Sequence, residues 1–152
     1  MLFRSQWHSA SICAAAAYHG HLNVVQWAFE NGCPWNKYTC VNAAGEGHLK
    51  VLQWAFENGC SWDEDTCSNA ARSGHLHVLK WAREKGCPWD ESTSSMAAHF
   101  GHLNVLNWAY KNGCPWGAET NKRLAKRGHS HVEKWAEENG LLSNPQKRPH
   151  ML

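Results

Sequence analysis

Between Asp63 and Lys85 the chain sets out two different arrangements of apolar residues in quick succession. In the first, Cys67, Ala70 and Ala71 fall at i, i+3 and i+4. This narrow stripe of small side chains predicts a helix from Asp63 to Arg72 that lets a neighbouring helix approach closely. Asp63 suits its N-cap, and Glu64, Asp65 and Thr66 suit a first turn against the macrodipole. In the second arrangement, Leu76, Val78, Leu79, Trp81 and Ala82 make a wider apolar face, which predicts a helix from Leu76 to Lys85 able to touch its partner and both flanking units. Gly74 breaks the chain between the two, and Gly86 stands where a left-handed C-terminal cap belongs. The two predicted helices are called A and B.

The whole arrangement recurs. GHLNVVQWAFENGCPW begins at Gly20, GHLKVLQWAFENGCSW at Gly47, GHLHVLKWAREKGCPW at Gly74 and GHLNVLNWAYKNGCPW at Gly101, each 27 residues after the last. An altered copy, GHSHVEKWAEENGLLS, follows at Gly128. Such a helix pair cannot bury its own apolar face, so the units are expected to stack, and three or more are needed for a stable core. The expected organisation is one repeat domain over 1–152: a partial or capping unit at 1–19, four full units at 20–127, a C-terminal cap at 128–143 and a tail at 144–152. In the last copy Ser130, Glu133 and Ser143 stand where other copies carry two aliphatics and a Trp, as an end unit facing water requires. Pro34, Pro88 and Pro115 stop helix B, and the Trp that follows (Trp35, Trp89, Trp116, with Trp62 after Ser61) is placed to cover the junction between units.

Charge and cysteine content narrow the class. Fifteen Lys and Arg against 13 Asp and Glu leave a formal charge of only +2, so the balance does not point to nucleic acid or an anionic membrane. The longest apolar run, Ile12 to Tyr18, is too short to span a bilayer, and no secretory leader is recognisable. The expectation is a soluble intracellular monomer, cytoplasmic or nuclear. Seven cysteines cannot all pair, and most recur at fixed phases of the repeat, so reduced thiols are expected.

Eleven His and seven Cys raise the question of metal, above all through Cys33 with Cys40, Cys60 with Cys67, and the pairs His19/His21, His75/His77 and His129/His131. None has a zinc-finger spacing, and Ser94 and Asn121 replace the second Cys in later units, as a slot that wants only a small side chain would allow. No metal or other cofactor is expected. His21, His48, His75, His102 and His129 share one slot at the start of helix B, where a ring nitrogen can satisfy groups of the turn. Catalysis needs one unrepeated constellation in a pocket, and a repeat array offers none, so the chain is not expected to be an enzyme.

The run A-A-x-x-G-H-L-x-V-L-x-[bulky]-A-x-x-x-G-[small], seen as Ala70-Ala71 through Cys87, resembles the helix-turn-helix signature of ankyrin repeats. Short, Trp-rich arrays of this kind resemble those of amoebal giant viruses and some protists. The resemblance covers nearly the whole chain and implies an all-α ankyrin-like helix-turn-helix repeat solenoid. Ankyrin units run to about 33 residues; the shortfall here lies between Gly-Cys and Ala-Ala, which implies β-hairpin fingers that are reduced or absent. The family's Thr-Pro-Leu-His opening is replaced by Thr39-Cys40-Val41-Asn42, so its hydrogen bonds do not carry over. A leucine-rich repeat would need an L-x-x-L-x-L strand, which no unit contains.

Slots that vary while the scaffold stays fixed have no shared packing duty and are available for recognition. Helix A carries most of them: Ala15, Asn42, Asn69, Met96 and Arg123 in one slot; Tyr18, Gly45, Arg72, His99 and Lys126 in another; His19, Glu46, Ser73, Phe100 and Arg127 in a third. The ankyrin resemblance places helix A on the concave face. The expected function is therefore a non-catalytic scaffold or adaptor that holds a protein partner through Asn42, Asn69, Arg72, Met96, His99, Phe100 and Arg123. The alternative is binding of nucleic acid or an acidic partner through the basic cluster Lys122, Arg123, Lys126 and Arg127 of the C-terminal cap. Phe29, Phe56 and Tyr110, which share a helix B slot with Arg83 and Glu137, are read as partly packed aromatics in preference to a second binding patch.

Overall fold

The computed structural model describes residues 11–126 and 128–142. The start of the partial unit, Arg127, Ser143 and the expected tail at 144–152 lie outside the described residues. Ten helices follow one another, with no strand among the described residues: α1 (Ser11–Tyr18), α2 (Leu22–Glu30), α3 (Lys37–Gly45), α4 (Leu49–Glu57), α5 (Glu64–Arg72), α6 (Leu76–Glu84), α7 (Glu91–His99), α8 (Leu103–Lys111), α9 (Ala118–Lys126) and α10 (Ser130–Glu138). Odd-numbered helices are the expected helices A and even-numbered ones the helices B. Asp63 caps α5 as expected, while Lys85, expected as the last residue of helix B, is the C-cap just outside α6. Each odd helix packs most extensively on the next odd helix, and each even helix leans on the odd helix before it.

Side-chain size explains that order. The facing positions of the odd helices are Cys40, Ala43 and Ala44, then Cys67, Ala70 and Ala71, then Ala97 and Ala98, all buried. These facing side chains are no larger than a thiol, although Leu124 takes the alanine slot in α9, so the axes of α3, α5 and α7 can approach at the short end of the usual range of about 8–10 Å. Larger side chains gather where even helices meet the odd ones: Leu52, Leu79, Leu106 and the valines at 25, 51, 78, 105 and 132 are the bulk of the core. Trp54, Trp81, Trp108 and Trp135 of the even helices are only half-buried and pack against this core from outside, whereas Trp27 is exposed.

Thr39, Thr66, Thr93 and Thr120 also lie fully inside. The first three hydroxyls have no hydrogen-bond partner, an omission that costs about 1–3 kcal/mol each. The fourth is satisfied, by Ser94 Oγ at 2.9 Å and Glu91 Oε1 at 3.4 Å. Glu91 has a further task. Asn36, Asp63 and Asp90 cap α3, α5 and α7 by accepting from the backbone N–H two residues on, whereas Gly117 occupies that slot before α9 and has no side chain to offer. Glu91 reaches across from the preceding unit and accepts from Thr120 N at 3.0 Å. Its carboxylate lies where a Cβ on Gly117 would come within 2.8 Å of it. The missing cap and the borrowed one are thus a matched pair. Lys37 ties α3 to the start of α5 in a comparable way, through Asp63 at 2.7 Å and Asp65 at 2.9 Å.

The histidine slot departs from expectation. These rings do not serve their own turn; they reach back to the unit before. His48 Nε2 meets Tyr18 O at 3.0 Å, His102 Nε2 meets Arg72 O at 2.9 Å and His129 Nε2 meets His99 O at 3.1 Å. A carbonyl can only accept, so Nε2 carries the proton in each case. The ring occupies the space beside a glycine of the preceding unit: a Cβ on Gly74 would stand 2.6 Å from His102 Nδ1, and one on Gly20 2.6 Å from His48 Nδ1. Gly74 is also held at φ +77°, in the left-handed region.

Gly86 provides the control, since it has φ +82° and open space where its Cβ would go. Gly86→Ala should therefore cost only the left-handed strain, about 1–2 kcal/mol. Gly74→Ala should lose a further ~1–3 kcal/mol from the clash with the ring. In urea melts, Gly74→Ala combined with His102→Ala should be less destabilised than the sum of the two single variants. Strict additivity would mean that the ring is not what the glycine accommodates.

Candidate functional site

The residues expected to bind a partner converge on one face. Asn69 and Arg72 of α5, Met96 and His99 of α7, Phe100 just after it and Arg123 of α9 line a recess of ≈ 430 Å³, together with Asp65, Ser68 and Ser92. A second recess of ≈ 450 Å³ shares Asn69, Arg72 and Phe100 and runs on to Asn42, Glu46 and Tyr18. The two recesses therefore form one groove across successive odd helices, with Arg72 and Phe100 at the place where they meet.

The side chains in it are unequally committed. Asn42 Nδ2 donates to Ala14 O at 3.0 Å, a bond between units, and Asn69 Nδ2 donates to Asp65 O one turn back in its own helix at 2.8 Å. Both amides are thus occupied by the scaffold. Arg123 Nε pairs with Glu119 Oε1 at 2.7 Å, and its Nη1 lies 2.6 Å from His99 Nδ1. Arg72 has no carboxylate partner among the described residues; its guanidinium lies 5.4 Å from the centre of the Phe100 ring. That ring is 39% exposed, large for a phenylalanine, and the His99 ring meets it edge-on at 4.7 Å.

Asp65, Ser68, Ser92 and Tyr18 belong to the groove but were not among the expected site residues. Helical spacing was the available signal. Asp65, Ser68, Asn69 and Arg72 follow at i, i+3, i+4 and i+7, so whatever surface Arg72 presents, Asp65 presents two turns earlier. Of the basic cluster of the cap, only part is described. Arg123 is engaged as described, Arg127 lies outside the described residues, and Lys122 is exposed on α9.

The opposite side of the stack carries aromatic groups that bridge the units. Phe29 lies 4.4 Å from Trp35 and 5.4 Å from Trp54 of the next unit, and Phe56, Trp62 and Trp81 repeat that triad. Tyr110 joins Trp116 and Trp135 in the same manner. In the third copy Arg83 stands in for the Phe, with its guanidinium 4.2 Å from the centre of Trp89. Phe29, Phe56 and Tyr110 are therefore packed against neighbours in recurring edge-on and stacked geometry worth about 0.5–1.5 kcal/mol per pair beyond burial. The loop Trp residues do cover the junctions.

The cysteines pair differently from the spacing that drew notice. Cys40 interacts with Cys60, and Cys67 with Cys87, each joining an odd helix to the end of the even helix that follows it; Cys33 with Cys40 is not such a pair. All seven are unbridged and buried. Burial, followed by its neighbour Cys33, pushes the Cys13 thiol up to about 12, and burial pushes Cys114 up to about 11. The loop thiols of Cys60, Cys87 and Cys114 donate to the carbonyls of the helix caps Asn36, Asp63 and Asp90. The hydrogen bond with Cys40 lowers the Cys60 thiol, with burial opposing, but Cys60 is enclosed like the others, and buried thiols are packing groups, since reactivity needs an exposed thiolate. No group of three or more His, Cys, Asp or Glu among the described residues is arranged to hold a metal ion, and no helix among them is long and apolar enough to cross a membrane.

No protein-family model matches the chain, and no curated protein matches it.

One titration follows from the interlock. Burial first, then the neighbouring His77, lowers the pKa of His75 below its ordinary 6.5, with Glu46 opposing. The folded chain binds this proton less readily than the unfolded chain, so the stability His75 contributes is full above the unfolded value and is lost as pH falls below it. The urea midpoint should drop on going from about pH 7.5 to about pH 5, and His75→Asn should remove part of that drop. An unaltered pH dependence in the variant would contradict the assignment.

Proposed function

We propose that the chain is a short ankyrin-like repeat solenoid that acts as a non-catalytic adaptor, holding a protein partner on the concave face formed by its odd helices. The observation that carries this reading is the convergence of variable slots on one groove while the invariant slots are spent on packing. Ala70, Ala71, Gly74, His75, Leu79 and Ala82, and their counterparts in other units, build contacts between helices. Arg72, Met96, His99 and Phe100 differ from their counterparts, and all four face the groove. A surface whose scaffold repeats and whose facing residues do not is suited to one extended partner.

The hydroxyls in the groove support a binding role over a chemical one. Ser68 Oγ donates to Asp65 O at 3.3 Å, and Ser92 Oγ donates to the Asp90 carboxylate that caps α7. Both serve helix ends. The rival reading, nucleic acid on the basic cap, is weakened by the engagement of Arg123 with Glu119 and His99. It would announce itself by the steep loss of affinity with salt that phosphate contacts impose.

The test is a partner captured from native extract, identified, purified and titrated against the chain. The variant Arg72→Ala/His99→Ala/Phe100→Ala should keep its helical circular dichroism and cooperative melt yet lose at least about 2 kcal/mol of binding, as truncated interface anchors do. Undiminished affinity would move the partner to the aromatic side around Phe29, Phe56 and Tyr110.

A further inference from the structure

Arg72 is the place where the groove is least self-sufficient. Every other charged group lining the central recess has a counterpart within the chain: Asp65 is held by Lys37 and Arg123 by Glu119. Among the described residues, Arg72 has only the face of Phe100. Its backbone is fixed, because its carbonyl accepts from His102. A guanidinium laid on an aromatic ring is ordered before a ligand arrives, so less side-chain entropy is lost when it binds. Its planar fork matches a carboxylate through two parallel hydrogen bonds.

The ring beside it defines the second half of the ligand. Phe100 and Met96 form an apolar wall within the same recess. Side chains two residues apart on an extended peptide point the same way and stand about 7 Å apart. One of them can therefore pair with Arg72 while the other lies on Phe100 and Met96. The groove crosses five odd helices, whose four spacings at the short end of the range amount to roughly 32 Å, the reach of about ten extended residues. A polyanion suits it poorly, because Asp65 and Glu46 share the face with Arg72 and Arg123, and Arg123 is already engaged by Glu119.

We infer that the Arg72–Phe100 junction anchors an extended acidic peptide segment, in which one carboxylate takes the Arg72 guanidinium and a large apolar side chain two residues away takes the Phe100–Met96 wall. This rests on the proposal that the odd-helix face is the binding face, and it adds the chemistry of the partner.

A phage-displayed library of random dodecapeptides, selected on the full chain, tests it. Enriched peptides should carry Asp or Glu two residues from Leu, Ile, Phe or Trp. In fluorescence polarisation at physiological salt, changing that acid to the amide, or making Arg72→Glu in the protein, should each weaken binding about tenfold or more. Placing Lys at the acidic position of the peptide should restore binding to the Arg72→Glu variant. Since Arg72 is exposed, that variant should melt as the parent does. Peptides without an acid preference that are lost on Phe100→Ala overturn the carboxylate anchor and leave the binding face standing. Peptides indifferent to every groove substitution overturn both. If no peptide is enriched, the segment is not the ligand, and the captured-partner titration judges the face alone. If a single-stranded oligonucleotide binds instead, with affinity falling steeply in salt, the acidic-peptide assignment is overturned.

Discussion

Everything in this stack depends on how one unit grips the next, and the grip is an imidazole seated in the space left by a glycine. The ring of His102 can lie beside Gly74 only because no Cβ is there, and from that position its Nε2 reaches the carbonyl of Arg72. The same arrangement holds for His129, Gly101 and His99, and for His48, Gly20 and Tyr18. Glycine at this point also meets the need for a positive φ in the turn between helices. One residue choice therefore serves two constraints, which explains why neither glycine nor histidine varies among the copies.

That grip has a consequence for binding. The carbonyls that accept from the rings belong to Tyr18, Arg72 and His99, which share the slot whose side chains face the groove. Backbone and side chain at that slot answer to different demands. The backbone is locked by a bond that any residue can make, and the side chain is left to vary without disturbing the stack. The groove surface can then change from unit to unit while stability stays with the alanines, the small thiols and the buried leucines and valines. The three unsatisfied threonine hydroxyls fit the same scheme, since a β-branched side chain of that size fills the odd-helix column even where its oxygen finds no donor or acceptor.

The helices and their bounds were legible in the sequence because they rest on local chemistry. A carboxylate before a first turn and a glycine after a last one act within a few residues, and Asp63 and Gly86 stand where such caps belong. The groove was legible too, since slots that vary on a helix of fixed register must share a face. What escaped were contacts whose partners lie 20 to 30 residues away in the chain, as His102 lies from Arg72, Glu91 from Thr120 and Cys40 from Cys60. Their partners are chosen by the stacking geometry, which no window of a single unit contains. Arg83 is instructive here: it breaks the aromatic slot in sequence, yet it keeps the contact with the loop Trp89 by placing a cation where the other copies place a ring, and Trp89 meets Trp108 of the next unit.

Substitutions of this last kind separate what the stack requires from what it tolerates. The junction on the even-helix side needs a flat or cationic group against the loop Trp, and Phe56, Arg83 and Tyr110 all meet that need. The junction at the turns admits only glycine, because the histidine ring leaves no room for a methyl group. The odd-helix face has the loosest requirement, since its inter-unit contacts, such as Asn42 to Ala14 and Arg123 to His99, differ from one junction to the next. Physical tolerance therefore rises from the turns, through the aromatic side, to the groove. The groove is where a repeating chain can place residues such as Arg72 and Phe100 without weakening the contacts that hold the units together.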